Sequence, residues 1–448
     1  MSAVPQGAEL PRLVARTVTI PDPGDLTALL PAEPSPLAWV RNGDGVIGWG
    51  CAARFRGSGP NRFADAADWW EDLTDHGVMR DAARRPGSGL VAFGSFAFGD
   101  RQVDDSPDDS EVSVLTVPSL VVGRDRGVSW LTTIAADPGL PSIPEVASAP
   151  PPAPPVDVQI THGALDDAGW AGIVAAAVER IAAGELAKVV LARDLVATAA
   201  EPVDLRHLLT RLAAGYPGCW TYAVDGLVGA TPEMLVRLRD GLITSRVLAG
   251  TIRRTGDDEH DLALAGSLAR SSKDLEEHRY AVGSVAESLA PYCSGMNVPE
   301  QPFVLHLPNV MHLASDVTGA PTDSGANALR LAGVLHPSAA VCGTPRLAAA
   351  RLIDDLESMD RGRYAGPVGW IGADGDGEFG LALRCAQRDP ADPRRLRLFA
   401  GCGIVAGSDP AAELAEAAAK TLPIREALAA SEESAAESPV ESPSEAAS

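Results

Sequence analysis

The sequence predicts a mixed α/β protein. Three observations carry that prediction. From Asp166 to Ala430, stretches with helical spacing of apolar residues alternate with short β-branched runs. Before that, to about Asp137, short apolar runs are broken by turn residues, which reads as strands. With 448 residues, 46% apolar and 22% charged, the chain can bury a large core. Length alone allows two or three domains, but large α/β units also run as one.

The elements follow in order. Leu37–Val40 and Val46–Trp49 flank R-N-G-D-G, a hairpin signal. Leu90 to Phe98 is an apolar, Gly-interrupted strand run. Residues 1–137 thus form a strand-rich part, and 138–156, with A-S-A-P-P-P-A-P-P, an extended connector. Residues 157–430 form the main region. There Trp170–Ala183 has helical periodicity, and Lys188–Leu195 is a β-branched strand. Cys219–Val224 and Leu227–Gly229 form a hairpin around Asp225-Gly226. Glu259–Leu289 reads as one long amphipathic helix, and Ala326–Leu335 and Pro345–Ser358 as further helices. Tyr364–Ile371, Phe379–Ala386 and Leu396–Ala400 read as strands, with Arg384 near the end of the second. Asp409 can cap a helix that has Pro410 at its first position and runs to about Ala430. Residues 431–448 contain only Ser, Glu, Ala, Pro and Val and predict a disordered acidic tail.

Composition excludes several function classes. The formal charge of -23 disfavours nucleic acid and anionic lipid as partners, so any anion must be met by local cations, amides or a metal. Six scattered cysteines without a C-x-x-C pair read as free thiols in a reducing cytoplasm. No signal peptide and no membrane span are expected. The chain lacks G-x-x-x-x-G-K and G-x-S-x-G. Gly401-Cys-Gly-Ile-Val-Ala406 resembles a dinucleotide fingerprint, but four residues separate it from the helix. Asp374-Gly-Asp-Gly-Glu378 fails calcium-loop spacing and reads as a hairpin turn.

One constellation remains. Glu413, Glu416 and Lys420 fall at i, i+3 and i+7 of the last helix and share a face. That face is either a solvated charged stripe or half of a metal-dependent anion site beside the glycine-rich stretch, read here as a turn. On the long helix, Lys273 and Glu277 are either a surface pair or a source of a second carboxylate. Magnesium takes one or two carboxylates together with substrate oxygens and water. Lys188 opens an apolar strand. It either reaches solvent or acts as a base, which as a free amine requires a closed cationic pocket. Glu233, in G-A-T-P-E-M, is either a solvated loop carboxylate or a desolvated acid able to protonate a leaving hydroxyl.

Together these residues resemble the chorismate-utilising enzymes: anthranilate synthase large subunits, aminodeoxychorismate synthases, isochorismate synthases and salicylate synthases. The matching strings include A-K-V-V-L-A-R (187–193), G-A-T-P-E-M-L (229–235), L-A-G-T (248–251) and S-K-D-L-E-E-H (272–278). They continue with M-H-L-A-S (311–315), H-P-S-A-A-V-C-G-T-P (336–345), D-R-G-R-Y-A-G-P-V-G-W (360–370), L-R-C-A (383–386), F-A-G-C-G-I-V (399–405) and E-L-A-E-A-A-A-K (413–420). The resemblance implies one large α/β domain, in the α+β sense, of two sheets with surrounding helices. It implies Mg²⁺ held by Glu277 and Glu416 with Glu413 nearby. Arg384 and the amides around Gly403 would hold a substrate carboxylate, and Gly250, Thr251, His312, Tyr364 and Lys420 would line the pocket.

Within that family, members that use ammonia resemble one another in carrying Gln where this chain has Lys188. Aminodeoxychorismate synthases resemble one another in a nucleophilic lysine where this chain has Ala249. The resemblance therefore implies isochorismate synthesis from chorismate, with Lys188 activating water and Glu233 as acid. Its product would feed menaquinone or siderophore synthesis. Salicylate synthase is the alternative, with Tyr364 in its favour and Val341 against; a non-catalytic binding protein of the same fold is another. A monomer is expected, because no apolar interface stripe is visible.

Overall fold

Many strands are buried along their whole length, including Val91–Ser95, Trp220–Val224, Leu227–Thr231 and Pro367–Gly372, because both of their faces are covered. The computed structural model describes residues 10–33, 35–102, 112–136, 139–308, 310–322 and 326–429, without the side chains of Lys273 and Glu277. Among the described residues the strands form two sheets, of 13 and 10 strands. In the larger, Lys188–Thr198 lies antiparallel to Arg395–Ile404, and the order continues through Cys385–Arg388, Leu227–Thr231, Trp220–Val224 and Leu37–Arg41. In the smaller, Val310–Pro321 is followed by Leu242–Arg253, Met234–Arg239, Gly377–Leu381, Pro367–Gly372 and Val91–Ser95. The first third of the chain therefore supplies strands to both sheets. The predicted acidic tail, 431–448, lies outside the described residues.

The main core lies between the sheets. Trp39, Trp220 and Tyr222 of one meet Met234, Val236 and Phe379 of the other. Trp39 Nε1 crosses the interface to donate to Glu378 Oε2 at 2.8 Å. Helices cover the outer face of the larger sheet. Trp170 and Val174 of Asp167–Ala182 pack with Leu191, Ala400 and Ala417, while Leu208 and Leu212 of Leu205–Gly215 pack with Ala38, Val228 and Ile424. Alternation then dictates that Val189 and Leu191 face the helices, whereas Lys188, Val190 and Ala192 face the other sheet.

The chain passes between the sheets at two adjacent places. Leu227–Thr231 belongs to the larger sheet and Met234–Arg239 to the smaller, so Pro232 and Glu233 form one crossover. Gly377–Leu381 and Cys385–Arg388 are divided in the same way around Leu383 and Arg384. The crossovers are tied by Leu381 N–H donating to the Glu233 carbonyl (3.1 Å) and Ala230 N–H to the Arg384 carbonyl (3.2 Å).

Four expectations need correction. The helix expected over Glu259–Leu289 is two, Asp258–Leu268 and Ser272–Leu289; Ser271 ends the continuity by accepting from the Asp274 N–H as an N-cap. The strand expected over Phe379–Ala386 is two strands in different sheets, because Arg384 adopts φ 51°. Arg384 therefore does not close a strand. Tyr364 precedes its strand, which starts at Pro367, since Ala365 is left-handed at φ 61°. Gly401–Gly403 is not a turn but part of the strand Arg395–Ile404. The other elements match their expected positions, including the Asp225-Gly226 turn, where both residues have positive φ.

A buried ion pair braces the Lys188 strand. Arg361, 4% exposed, pairs with Glu357 at 2.6 Å and donates to the carbonyls of Val190 (2.7 Å) and Val341 (2.9 Å). Glu357 also accepts from the Ala192 N–H at 2.7 Å. Glu357→Ala would leave a buried guanidinium without its counter-ion. The expected loss is about 3–5 kcal/mol, measured by urea denaturation; a loss under about 1 kcal/mol would show that the pair does not brace the strand.

Candidate active site

Where the sheets part, the crossovers, four strands and two helices line a cavity of about 230 Å³. Lys188 and Val190 enter from one strand, and Phe399, Gly401 and Gly403 from its neighbour. The register explains this. Val190 lies opposite Gly403 and Ala192 opposite Gly401, so all four share the inward face. A Cβ at Gly401 would come within 2.7 Å of the Leu191 carbonyl and 3.1 Å of Tyr364 Oη. Tyr364 in turn stacks on Phe399 with ring centroids 5.0 Å apart.

The opposite wall comes from the smaller sheet. Gly250 has φ 77° at a bulge in Leu242–Arg253, where the register with Val310–Pro321 shifts. A side chain there would crowd Asp274 at 3.1 Å. Thr251 Oγ1 lies 3.0 Å from His312 Nδ1, and His312 Nε2 has no hydrogen-bond partner among the described residues. Glu233 and Arg384 enter from the crossovers. Glu413, Glu416 and Lys420 enter from Pro410–Leu428, which Asp409 caps through the Ala412 N–H.

The electrostatics follow from burial beside cations. Burial pushes the Glu233 carboxyl up to about 8, even though Lys188, Lys420 and Arg384 oppose the shift. Burial, helped by Arg384 and Lys420, lowers His312 to about 3, so its imidazole is neutral near pH 7. Burial also raises Glu416, but Lys420, Arg384 and Lys188 outweigh it and hold that carboxyl below the usual range. Lys420 Nζ meets Glu416 Oε1 at 2.7 Å and the Gly401 carbonyl at 2.9 Å. Arg384 differs. Among the described residues, nothing accepts a hydrogen bond from its guanidinium or forms an ion pair with it. A half-buried cation without a partner calls for an anionic ligand.

The site also fits a divalent cation. Glu413, Glu416 and Cys402 offer ligand atoms within 4.8 Å of one another. The Cys402 thiol, pushed up to about 12 by burial, donates to the Glu413 carbonyl at 3.3 Å and stays protonated. Two carboxylates remain, hard oxygen donors of the kind magnesium accepts. The side chain of Glu277 lies outside the described residues; its helix reaches the cavity at Asp274, one turn earlier on the same face.

The cavity thus brings together Lys188, Glu233, Gly250, Thr251, His312, Tyr364, Arg384, Gly403, Glu413, Glu416 and Lys420. Sequence reasoning missed Gly401, Asp274 and Arg361, which also line it. Gly401 had a signal, since it stands two residues from Gly403 on a strand and so shares its face. Asp274 had one too, three residues before Glu277. Arg361 had only its i,i+4 spacing from Glu357, which does not show that the pair is buried; the carbonyls of Val190 and Val341 that fix it lie 171 and 20 residues away.

The chain also matches known proteins. Residues 38–429 match the family described as chorismate binding enzyme. The isochorismate synthase DhbC of Bacillus subtilis is 41% identical over 252 residues, 54% of this chain. The chain spans 63% of that relative's length, less than two thirds. The salicylate biosynthesis isochorismate synthase of Pseudomonas aeruginosa is 32% identical over 95% of this chain and 92% of its own length. The crystal structure of the menaquinone-specific isochorismate synthase MenF of Escherichia coli superposes with a TM-score of 0.76 at 26% identity, covering 94% of this chain and 95% of that one.

Glu233 generates a prediction about stability. The folded protein holds its proton to about pH 8, whereas the unfolded chain releases it near 4.5. Between those values the folded state binds more protons, so this group's contribution to stability is full below about 4.5 and is lost as pH rises to about 8. Glu233→Gln cannot ionise. Its stability relative to the parent protein should therefore climb by several kcal/mol across that window in urea titrations, then level off. A difference that does not vary with pH would refute the raised acidity constant.

Proposed function

The chain belongs to the chorismate-binding enzyme family, and from that premise we propose that it is an isochorismate synthase acting on chorismate with Mg²⁺. One observation carries the reading: a lysine, a protonated carboxylic acid and an arginine with no hydrogen-bond or ion-pair partner among the described residues line the same cavity. Relatives named isochorismate synthase support it.

The chemistry needs few parts. Arg384 takes one substrate carboxylate, with the inward amides near Gly403 beside it. Glu416, Glu413 and Glu277 would hold Mg²⁺, which when bound neutralises carboxylate charge and adds Lewis acidity. Lys188 removes a proton from the water that attacks C2, the ring double bonds shift, and Glu233 protonates the C4 hydroxyl as it leaves. One proton is gained at Lys188 and one is lost at Glu233, so the net change is an isomerisation. Its reverse exchanges the two roles. Burial keeps Glu233 protonated near pH 7, the state that a proton donor to hydroxide needs.

Product analysis tests this directly. Chorismate with Mg²⁺ should yield isochorismate; salicylate with pyruvate would support the lyase alternative, and anthranilate formed with ammonium would defeat both. Lys188→Gln should lower kcat at least about 100-fold without changing the urea midpoint, and undiminished turnover would remove Lys188 from the mechanism. Glu416→Gln should weaken Mg²⁺ binding at least about tenfold by calorimetry, and unaltered binding would reject that ligand.

A further inference from the structure

Beside Glu233 lies a second, much smaller gap. Glu233 and Ala340 line both it and the main cavity. The gap measures about 10 Å³, close to the room one water occupies. Most of its wall is apolar, including Ala281 and Val285 of the helix Ser272–Leu289. Two hydroxyls interrupt that wall. Ser338 is 7% exposed, and its Oγ has no hydrogen-bond partner among the described residues. Ser245 is 1% exposed and faces the same space.

An orphaned buried hydroxyl costs about 1–3 kcal/mol unless something satisfies it. A single water in this gap would satisfy Ser338 and would reach the Glu233 carboxyl, with Ser245 as a third polar neighbour. Three partners is the usual number for a buried water. We infer that Ser338 is a positioning residue for Glu233, acting through one buried water that ties its hydroxyl to one oxygen of the carboxyl. The tie leaves the other oxygen turned into the cavity, where the leaving hydroxyl is proposed to be protonated. The carboxyl would otherwise rotate about its last torsion, which is soft. The catalytic part of this inference rests on the function proposed above; the hydrogen-bonded water does not.

Other charged groups bear on Glu233. Lys188, Lys420 and Arg384 act from the main cavity, where Glu413, Glu416 and His312 also lie, and Arg246 borders the gap. Substitutions in the gap leave all of them in place.

The test uses the full chain. In Ser338→Ala the water loses its anchor, and the ionised carboxylate loses a donor. In Ala281→Val the hydroxyl stays but the gap is filled. Both should increase the proton affinity of Glu233 about tenfold, the worth of one hydrogen bond to a charged group. The readout is the pH midpoint of the stability difference between each variant and the same variant carrying Glu233→Gln, which needs no turnover. Both should also lower kcat about tenfold with KM unchanged. Ser338→Gly, which leaves room for a second water in place of the hydroxyl, should recover most of the loss. An unmoved midpoint in Ser338→Ala and Ala281→Val would overturn the water bridge. A moved midpoint with unchanged kcat would overturn the positioning role alone. A moved midpoint in a protein that forms no isochorismate would leave the bridge standing and sink the proposed function.

Discussion

Everything at the cavity depends on the paired crossovers. Two neighbouring segments cross between the sheets in opposite directions, one from the larger to the smaller and one from the smaller to the larger, tied by Leu381 N–H to the Glu233 carbonyl and by Ala230 N–H to the Arg384 carbonyl. The packing there is close: a Cβ at Gly380 would lie 2.8 Å from the Glu233 carbonyl oxygen and 3.0 Å from the Trp39 ring. Backbone groups in such a segment cannot continue either ladder, so they bond to each other. At the turning points Glu233 and Arg384 enter the cavity, while Leu383 also packs against the main core, which is how a carboxyl and a guanidinium come to face one cavity.

That space has a low dielectric, and its charges control each other. Burial alone would raise Glu416, yet Lys420, Arg384 and Lys188 outweigh it and hold that carboxyl below the usual range. The same three cations are too weak against burial at Glu233, whose carboxyl stays protonated near pH 7. Two acids in one cavity are thus shifted in opposite directions by their surroundings. His312 is kept neutral by burial and by the same arginine and lysine. The guanidinium of Arg384 is left with no protein acceptor among the described residues. A half-buried guanidinium left in this way favours an anionic ligand.

Much of this was legible in the chain. Elements with strong local signals appeared where expected: the Asp225-Gly226 hairpin, the helix capped by Asp409, and the strand opened by Lys188. Local signals also failed for identifiable reasons. Phe379–Ala386 reads F-G-L-A-L-R-C-A, mostly apolar, and nothing in that run announces that Arg384 turns left-handed. The glycines at 401 and 403 suggested a turn, because glycine often marks one. Here both belong to the strand Arg395–Ile404, and a side chain at Gly401 would collide with the Leu191 carbonyl and crowd Tyr364 Oη. Ser271 was read as a helical residue, although it is a good N-cap and breaks the helix in two.

The sequence by itself determined the chemistry available to this protein. Residue types and their spacing along single elements supplied an inward lysine, a shared helical face with two glutamates and a lysine, and a proline-led acid. Spacing suffices there because helix and strand periods are local properties of the backbone. Only the tertiary structure decided what those groups can do. Which state Glu233 holds, which cation is left without a partner, and where Arg361 braces the Lys188 strand all depend on groups far apart in sequence. Charge states and buried hydrogen bonds are set by surroundings in space, and no local period carries that information.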